Sequence, residues 1–303
     1  MSFTNLYRSQ AALLIRVLPH VAQEKVFALK GGTAINLFIR NMPRLSVDID
    51  LTYLPVEARP ASLAAIDAAL RRIAERVKKN IGGAQITETR FEGLVTKLLV
   101  RADGVQIKIE VTPVMRGCVF EAEMRRVAPL VEDTFGFAEM QLVSFSDLYA
   151  GKAVAGLDRQ HPRDFFDIRD LLANEGIDDA LRRAFIVYML SHDRPMSEVL
   201  APRRKDISEE FVRGFEGMTD KPVSIEELVA AREALIGAMV GKMPAQHRKF
   251  LLSFEKGTPD WPLLGLPHVA NLPAVRWRQI NLDKLTPERR AALVEGLEKA
   301  LSK

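Results

Sequence analysis

Asp48 and Asp50 are the residues of this chain best suited to chemistry. They alternate with Ile49 in the run LSVDIDL, residues 45–51. In a strand successive side chains point to opposite faces, so the two carboxylates share one face and Ile49 takes the other. Two carboxylates held so close repel each other unless a cation sits between them. Hard oxygen ligands of this kind suit Mg²⁺ or Mn²⁺. Earlier in the chain, Gly31-Gly32-Thr33 follows the apolar run at residues 26–29. A glycine pair lets backbone N–H groups approach a phosphate closely, above all at a helix start. A phosphate cradle plus metal-binding carboxylates is the minimum set for metal-assisted phosphoryl or nucleotidyl transfer.

The elements that must position these groups follow from local pattern. Residues 26–29 predict a buried strand leading into the glycines. Residues 33–42 predict a short helix with Ala34, Leu37 and Phe38 on one side, ended by Pro43. Residues 45–51 then return as a strand. Strand, glycine pair, helix and strand bring the glycines and aspartates to the same sheet edge. A third carboxylate lies further on. In residues 105–111, Ile107, Ile109 and Val111 alternate with Gln106, Lys108 and Glu110, so Glu110 faces away from the apolar side. Taken alone, that alternation describes a half-buried strand with a solvated face.

The wording LKGGTAINL followed by PRLSVDIDL resembles the DNA polymerase β-type nucleotidyltransferase superfamily. Within it, the chain looks like the AbiEii/AbiGii-type nucleotidyltransferase toxins of bacterial abortive-infection and type IV toxin–antitoxin systems. That resemblance implies Glu110 as a third metal ligand beside Asp48 and Asp50. A second match runs from Asp147 to Lys152 (DLYAGK) and from Arg159 to Asp170 (RQHPRDFFDIRD). It resembles the family's later motifs, a lysine on one helix and a basic-Asp-x-x-Asp on the next. The resemblance implies that Lys152 contacts the triphosphate as a compact cation. Asp164 and Asp167, at i and i+3, share a helix face and would position a base, a ribose or the attacking hydroxyl. Acids in a first helical turn also suit the helix dipole without any catalytic role. Arg163 either neutralises Asp164 or reaches a phosphate. The implied nucleotide-binding set is Gly31, Gly32, Thr33, Ser46, Lys152 and Asp167; the implied catalytic set is Asp48, Asp50, Glu110, Lys152 and Asp164. Thr33 either bonds a phosphate or caps the helix.

The resemblance covers residues 24–172. It implies an α/β fold, with a polymerase β-type nucleotidyltransferase lobe built on a mixed sheet at residues 1–145. A mainly helical lobe at residues 146–303 closes the cleft. The implied reaction moves a nucleoside monophosphate from an NTP to an acceptor hydroxyl, with Glu110 helping to deprotonate the acceptor. The implied acceptor is an RNA, the 3′ end of tRNA, and the implied partner is a separately encoded antitoxin. Two other readings stand beside this one. A small-molecule nucleotidyltransferase of antibiotic-resistance type shares the catalytic half. A non-catalytic nucleic-acid or partner-binding protein shares the fold, and loss of a carboxylate would favour it; all three are present.

Composition bounds these readings. A length of 303 residues suits two domains, and 48% hydrophobic residues supply ordinary cores. No run of 18 apolar residues exists, so no transmembrane helix and no membrane partner are expected. The opening MSFTNLYRSQAALLIRVLP has charged interruptions and no cleavage site; it reads as an amphipathic helix packed on the core. The single Cys118 excludes an internal disulfide and a cysteine-based zinc site, and fits a reducing cytoplasm. The five histidines show no ligand spacing, and His161 reads as a loop residue before Pro162. The net charge of +4 permits an anionic partner without requiring one. Arg71, Arg72, Arg76, Lys78 and Lys79 crowd one stretch, and Arg203, Arg204 and Lys205 another. Such clusters are either solvated faces or grips on an RNA backbone. With 7% aromatic residues, base stacking is not the main grip.

The remaining pattern predicts a helix at 60–80 and strands at 84–91, 94–101 and 105–111. Asp103-Gly104 makes the last hairpin turn. Helices dominate after Ser146: at 177–190, from the Ser224/Glu227 capping box to about 240, and from Thr286 to 301. Residues 256–272 are rich in Pro and Gly and read as turns. Gly237, Gly241 and Lys242 have the wrong spacing for a P-loop, and Met243 stands where a hydroxyl is needed.

Overall fold

The structure, a computed structural model, describes residues 5–302. They form two compact units. One runs as far as Ser144 and also takes in Glu216–Pro222; the other comprises Phe145–Phe215 and the chain from Val223 onward.

The first unit follows its hydrophobic periodicity. It begins with α1 (Asn5–Val21), which buries Ala11, Leu14 and Leu18; residues 1–4 of the expected helix lie outside the described residues. Next come β1 (Phe27–Lys30), α2 (Gly31–Ala34), β2 (Asp48–Tyr53) and α3 (Arg59–Asn80). Then follow β3 (Gln85–Phe91), β4 (Leu94–Ala102), β5 (Val105–Arg116), β6 (Glu123–Arg126), α4 (Pro129–Phe135) and β7 (Glu139–Leu142). The described strands make one seven-stranded sheet in the order β3-β4-β5-β2-β1-β7-β6. It is mixed: β2 pairs parallel with β5 and β1 parallel with β7, while the other neighbours are antiparallel. Helices α1 and α3 contact each other and pack on β5 and β4. The buried residues Ile49, Leu51, Leu98, Val100, Ile107 and Ile109 form the apolar side of these strands. The alternate positions carry charge, as expected of a sheet with one face left to water.

Two local departures matter for the site. The helix expected at 33–42 starts at Gly31, widens into a π-helical turn over Ile35–Ile39 and ends at Arg40, which is extended. The Asn36 side chain donates to the Gly32 carbonyl at 3.0 Å, a competitor for the ordinary helical ladder. Arg40 closes the wider turn by donating to Ile35 O at 2.7 Å. The strand expected at 45–51 begins only at Asp48. Residues 43–45 pair elsewhere: Arg44 bridges Thr219, Leu45 N donates to Met218 O and Asp220 N donates to Pro43 O. These bonds draw Glu216–Pro222 into the first unit. A contiguous division at residue 145 leaves that segment on the wrong side, because backbone pairing across some 170 residues has no local signature.

The second unit is helical. It comprises α5 (Phe145–Asp158), α6 (Pro162–Asn174), α7 (Asp179–Leu190), α8 (Met196–Leu200), α9 (Ser208–Gly214) and α10 (Ile225–Ile236). It continues with α11 (Ala245–Glu255), α12 (Trp261–Leu264), α13 (Pro273–Asp283) and α14 (Pro287–Leu301). The Ser224/Glu227 capping box opens α10. That helix passes into a π-helical turn at Gly237–Gly241 rather than continuing regularly to 240. The stretch 256–272 holds α12 and a 3₁₀ turn at Pro267–Asn271, because Pro262 and Pro267 sit in first turns, where a missing N–H costs nothing. Phe165, Phe166, Ile207, Phe215 and Leu228 form one buried cluster. Among the described residues no helix is long and apolar enough to cross a membrane.

Most of the cations of α3 are ion-paired within the first unit, while Lys79 is exposed. Glu24, only 7% exposed, accepts Arg72 and Arg76, each at 2.6 Å. Arg71 pairs with Asp67 at 2.9 Å and Lys78 with Glu75 at 3.3 Å. The face read as either solvated or RNA-gripping is therefore largely a set of ion pairs, two of which fasten α3 to the chain beyond α1.

Candidate active site

The glycine turn and the two aspartates meet at the centre of the sheet. In the register of β1 and β2, Lys30 lies opposite Asp50, so Gly31 leaves the sheet beside that carboxylate. Gly31 has φ +77°, and a Cβ there would lie 2.6 Å from Asp50 Oδ2. A Cβ on Gly32 would lie 2.7 Å from Arg44 Nη2 and 3.0 Å from Ser46 Oγ. Gly31 is thus required for its left-handed backbone and its approach to Asp50, whereas the atom nearest Gly32 is the tip of the Arg44 side chain. Gly31→Ala is expected to cost roughly 1–2 kcal/mol through its backbone alone. By displacing Asp50 it should slow transfer about a hundredfold. Denaturant unfolding and steady-state kinetics measure the two effects separately.

Thr33 is 1% exposed and its hydroxyl bonds inside the protein instead of capping the helix. Its hydroxyl hydrogen-bonds the Asp48 carbonyl and lies 3.0 Å from Ser46 Oγ. The N-cap position belongs to Lys30, which makes no side-chain cap bond. With its proton used inside the protein, Thr33 ties the glycine turn to the start of β2 and so positions Asp48.

Strand β5 brings up the third carboxylate. Parallel pairing sets Asp48 opposite Lys108 and Asp50 opposite Glu110. Lys97 of β4 lies opposite Glu110 from the other side. Lys97 Nζ is 3.0 Å from Glu110 Oε1, and Lys108 Nζ is 2.9 Å from Oε2 and 3.9 Å from Asp48 Oδ2. Lys30 Nζ donates to Thr112 Oγ1 at 3.0 Å. Burial would raise the Glu110 pKa, but Lys108 and Lys97 outweigh it and hold the carboxyl below its ordinary value. Burial would lower Lys108, but its bond to Glu110 and the charges of Asp48 and Asp50 raise it. At Lys30 burial prevails and the pKa is lowered, against the pull of Asp50 and Glu110. Lys30, Lys97 and Lys108 are site residues that motif reading missed.

Asp48 and Asp50 have the donor chemistry and exposure that fit a hard divalent cation. Glu110 is differently placed. Both its oxygens are held by lysines, and no group of three His, Cys, Asp or Glu side chains that could hold a metal exists among the described residues. The three-carboxylate ligand set is therefore not pre-assembled, because β4 and β5 supply cations at the flanking register positions.

The later motif residues gather within the second unit. His161 caps α6, its Nδ1 accepting from Arg163 N at 3.2 Å. Asp164 and Asp167 face α5, where Lys152 Nζ lies 2.8 Å from Asp164 Oδ1 and 3.0 Å from Asp167 Oδ2. Arg159 Nε lies 2.6 Å from Asp164 Oδ2. The Lys152 side chain is 7% exposed and both aspartate side chains are fully buried. Burial works to raise the Asp164 pKa, yet Lys152 and Arg159 drive it well below the carboxylate range. Lys152 is thus an internal counter-ion in this structure, not an exposed cation awaiting a triphosphate. Arg159, rather than Arg163 alone, neutralises Asp164.

His161 is structural, not incidental. Burial, then repulsion from Arg163, lowers its pKa to about 4, against the attraction of Asp164. Below the unfolded value of about 6.5 the unfolded chain binds this proton and the folded one does not. Stability is expected to fall as pH drops from about 6.5 towards 4. In His161→Asn, which keeps an N-cap acceptor, that slope should be shallower. Melting temperatures of both proteins across this range make the comparison.

A glycine turn entering a helix, with paired aspartates on the next strand of a mixed sheet, is the arrangement of a nucleotidyltransferase lobe. The chain belongs to the nucleotidyl transferase AbiEii toxin family of type IV toxin–antitoxin systems, whose sequence model matches residues 12–278. Among solved structures it is similar to MenT4, a nucleotidyltransferase toxin from Mycobacterium tuberculosis H37Rv. The two are 18% identical with a TM-score of 0.57, over 96% of this chain and 94% of that one, a likeness of fold. Terminal uridylyl transferase 4 from Trypanosoma brucei with bound dUTP aligns over 98% of this chain and 97% of its own. At 12% identity and a TM-score of 0.30, it supports no structural argument. No curated protein matches the chain.

Proposed function

We propose that this nucleotidyltransferase moves a nucleoside monophosphate from an NTP to an acceptor hydroxyl, with pyrophosphate leaving. The observation that carries this reading is the junction of Gly31 with Asp50, where only a glycine fits beside the carboxylate. Asp48 and Asp50 are the proposed ligands of a divalent cation, Mg²⁺ or Mn²⁺, which supplies charge stabilisation to the transferring phosphoryl group when bound. Gly31 and Gly32 present backbone to the triphosphate; Ser46 and Thr33 hold that backbone against β2. Glu110 orients the lysines that flank the aspartates and joins the ligand set only by exchanging one of them. Lys152, Asp164 and Asp167 are proposed to act from within their existing cluster, so Lys152 reaches a phosphate only by exchanging a carboxylate. Membership of a type IV toxin family supports an RNA acceptor, the 3′ end of tRNA, and a separately encoded antitoxin. The single cysteine supports action in a reducing cytoplasm.

Incubation with each labelled NTP and total RNA tests the reading, with Asp48→Ala as control. The expected result is label from one NTP on tRNA-sized RNA, absent in the control. The ion-paired state of the α3 cations favours a second reading, a small-molecule acceptor. Label that stays off RNA and appears on an added aminoglycoside supports that one.

A further inference from the structure

We propose that Lys108 is a built-in counter-cation of the carboxylate face, and that a divalent cation must compete with it for Asp48. The inference rests on the proposed metal-binding role of Asp48 and Asp50. It is carried by register and distance. Lys108 and Glu110 are alternate residues of β5 and share a face, while parallel pairing sets Lys108 directly opposite Asp48. Its ammonium lies 2.9 Å from Glu110 and 3.9 Å from Asp48, so one cation bridges two carboxylates of adjacent strands. Lys97 holds the other Glu110 oxygen and makes no such bridge.

Two lysines already stand on this face: Lys108 between Asp48 and Glu110, and Lys97 on the other Glu110 oxygen. Like carboxylates this close demand positive charge; Lys108 supplies it from the protein itself. A free divalent cation arriving at Asp48 meets an ammonium 3.9 Å from its carboxylate. Its affinity is therefore set low by design of the strand register. A nucleotide that carries its own negative charge removes that disadvantage, so metal binding should depend strongly on NTP.

Mn²⁺ titration of the full chain without nucleotide, followed by electron paramagnetic resonance, tests this. Lys108→Met keeps the aliphatic stem and removes the charge; it should tighten Mn²⁺ binding about 10- to 100-fold. Lys108→Arg should stay near wild type, Lys97→Met should change affinity less than Lys108→Met, and Asp48→Asn should abolish binding. Lys108→Gln serves as a second neutral variant where the methionine one does not fold, with folding checked by thermal melting. Unchanged or weaker Mn²⁺ affinity in a folded neutral variant, while Asp48→Asn still loses binding, overturns the role of Lys108 alone. No Mn²⁺ binding by any of these proteins, with or without NTP, overturns the metal site itself and this inference with it.

Discussion

Asp48→Ala should abolish nucleotide transfer while the protein keeps its fold. The expected loss is at least about a thousandfold, roughly 4 kcal/mol of transition-state stabilisation. The residue is half-exposed, its nearest cation, Lys108, stands 3.9 Å away, and its backbone carbonyl, not its carboxylate, anchors Thr33. Removing the carboxylate therefore breaks no buried contact and relieves repulsion with Asp50. Asp50→Ala should lose activity to the same extent. Normal turnover by a well-folded Asp48→Ala protein would sink the proposed mechanism; a melting curve beside the kinetics makes the test decisive.

Lys152→Met should destabilise the second unit by about 3–5 kcal/mol, the usual cost of leaving buried charge without its partner. Asp164 retains Arg159, but both carboxylates lose their shared ammonium inside the protein. Adding Asp164→Asn and Asp167→Asn to the same protein should recover part of that loss, since neutral amides no longer need the cation. Denaturant unfolding measures both steps. A Lys152→Met protein that unfolds like wild type, yet transfers nucleotide poorly, would instead mark Lys152 as a direct substrate contact.

The core of the site was legible in sequence because it is local. Gly31, Asp48 and Asp50 lie within one short stretch, and strand alternation alone places both aspartates on one face. For Glu110 alternation gave only a solvated strand face, and its proposed part in the site came from the family resemblance. Its lysines were legible only in part. The two-residue turn at Asp103-Gly104 fixes the β4–β5 register, so Lys97 opposite Glu110 was within reach once that hairpin was drawn. Lys108 opposite Asp48 was not, because β2 and β5 pair in parallel across α3 and two further strands, and no turn sets that register. Lys152 was read on one helix and Asp164 and Asp167 on one face of the next, and α5 and α6 are those helices. The burial of these side chains was not legible, since a motif gives residue types but not how far a helix sinks into its core. The cluster on α3 was left as a solvated face or a grip because Glu24, the partner of Arg72 and Arg76, lies far away in sequence.

The clamp formed by residues 218–220 on Pro43, Arg44 and Leu45 has a genetic consequence. Every motif of the Gly-Gly and Asp-x-Asp kind is encoded in the first half of the gene, yet the backbone partners that hold the approach to Asp48 are translated much later. A ribosome that has made residues 1–145 has emitted all the candidate metal ligands but not the segment that braces residues 43–45. Nonsense alleles that stop anywhere before residue 220 should therefore be null even for partial reactions of the first unit. Two fragments divided at residue 145 should complement poorly, whereas fragments divided after residue 222 keep the brace with the strand it supports.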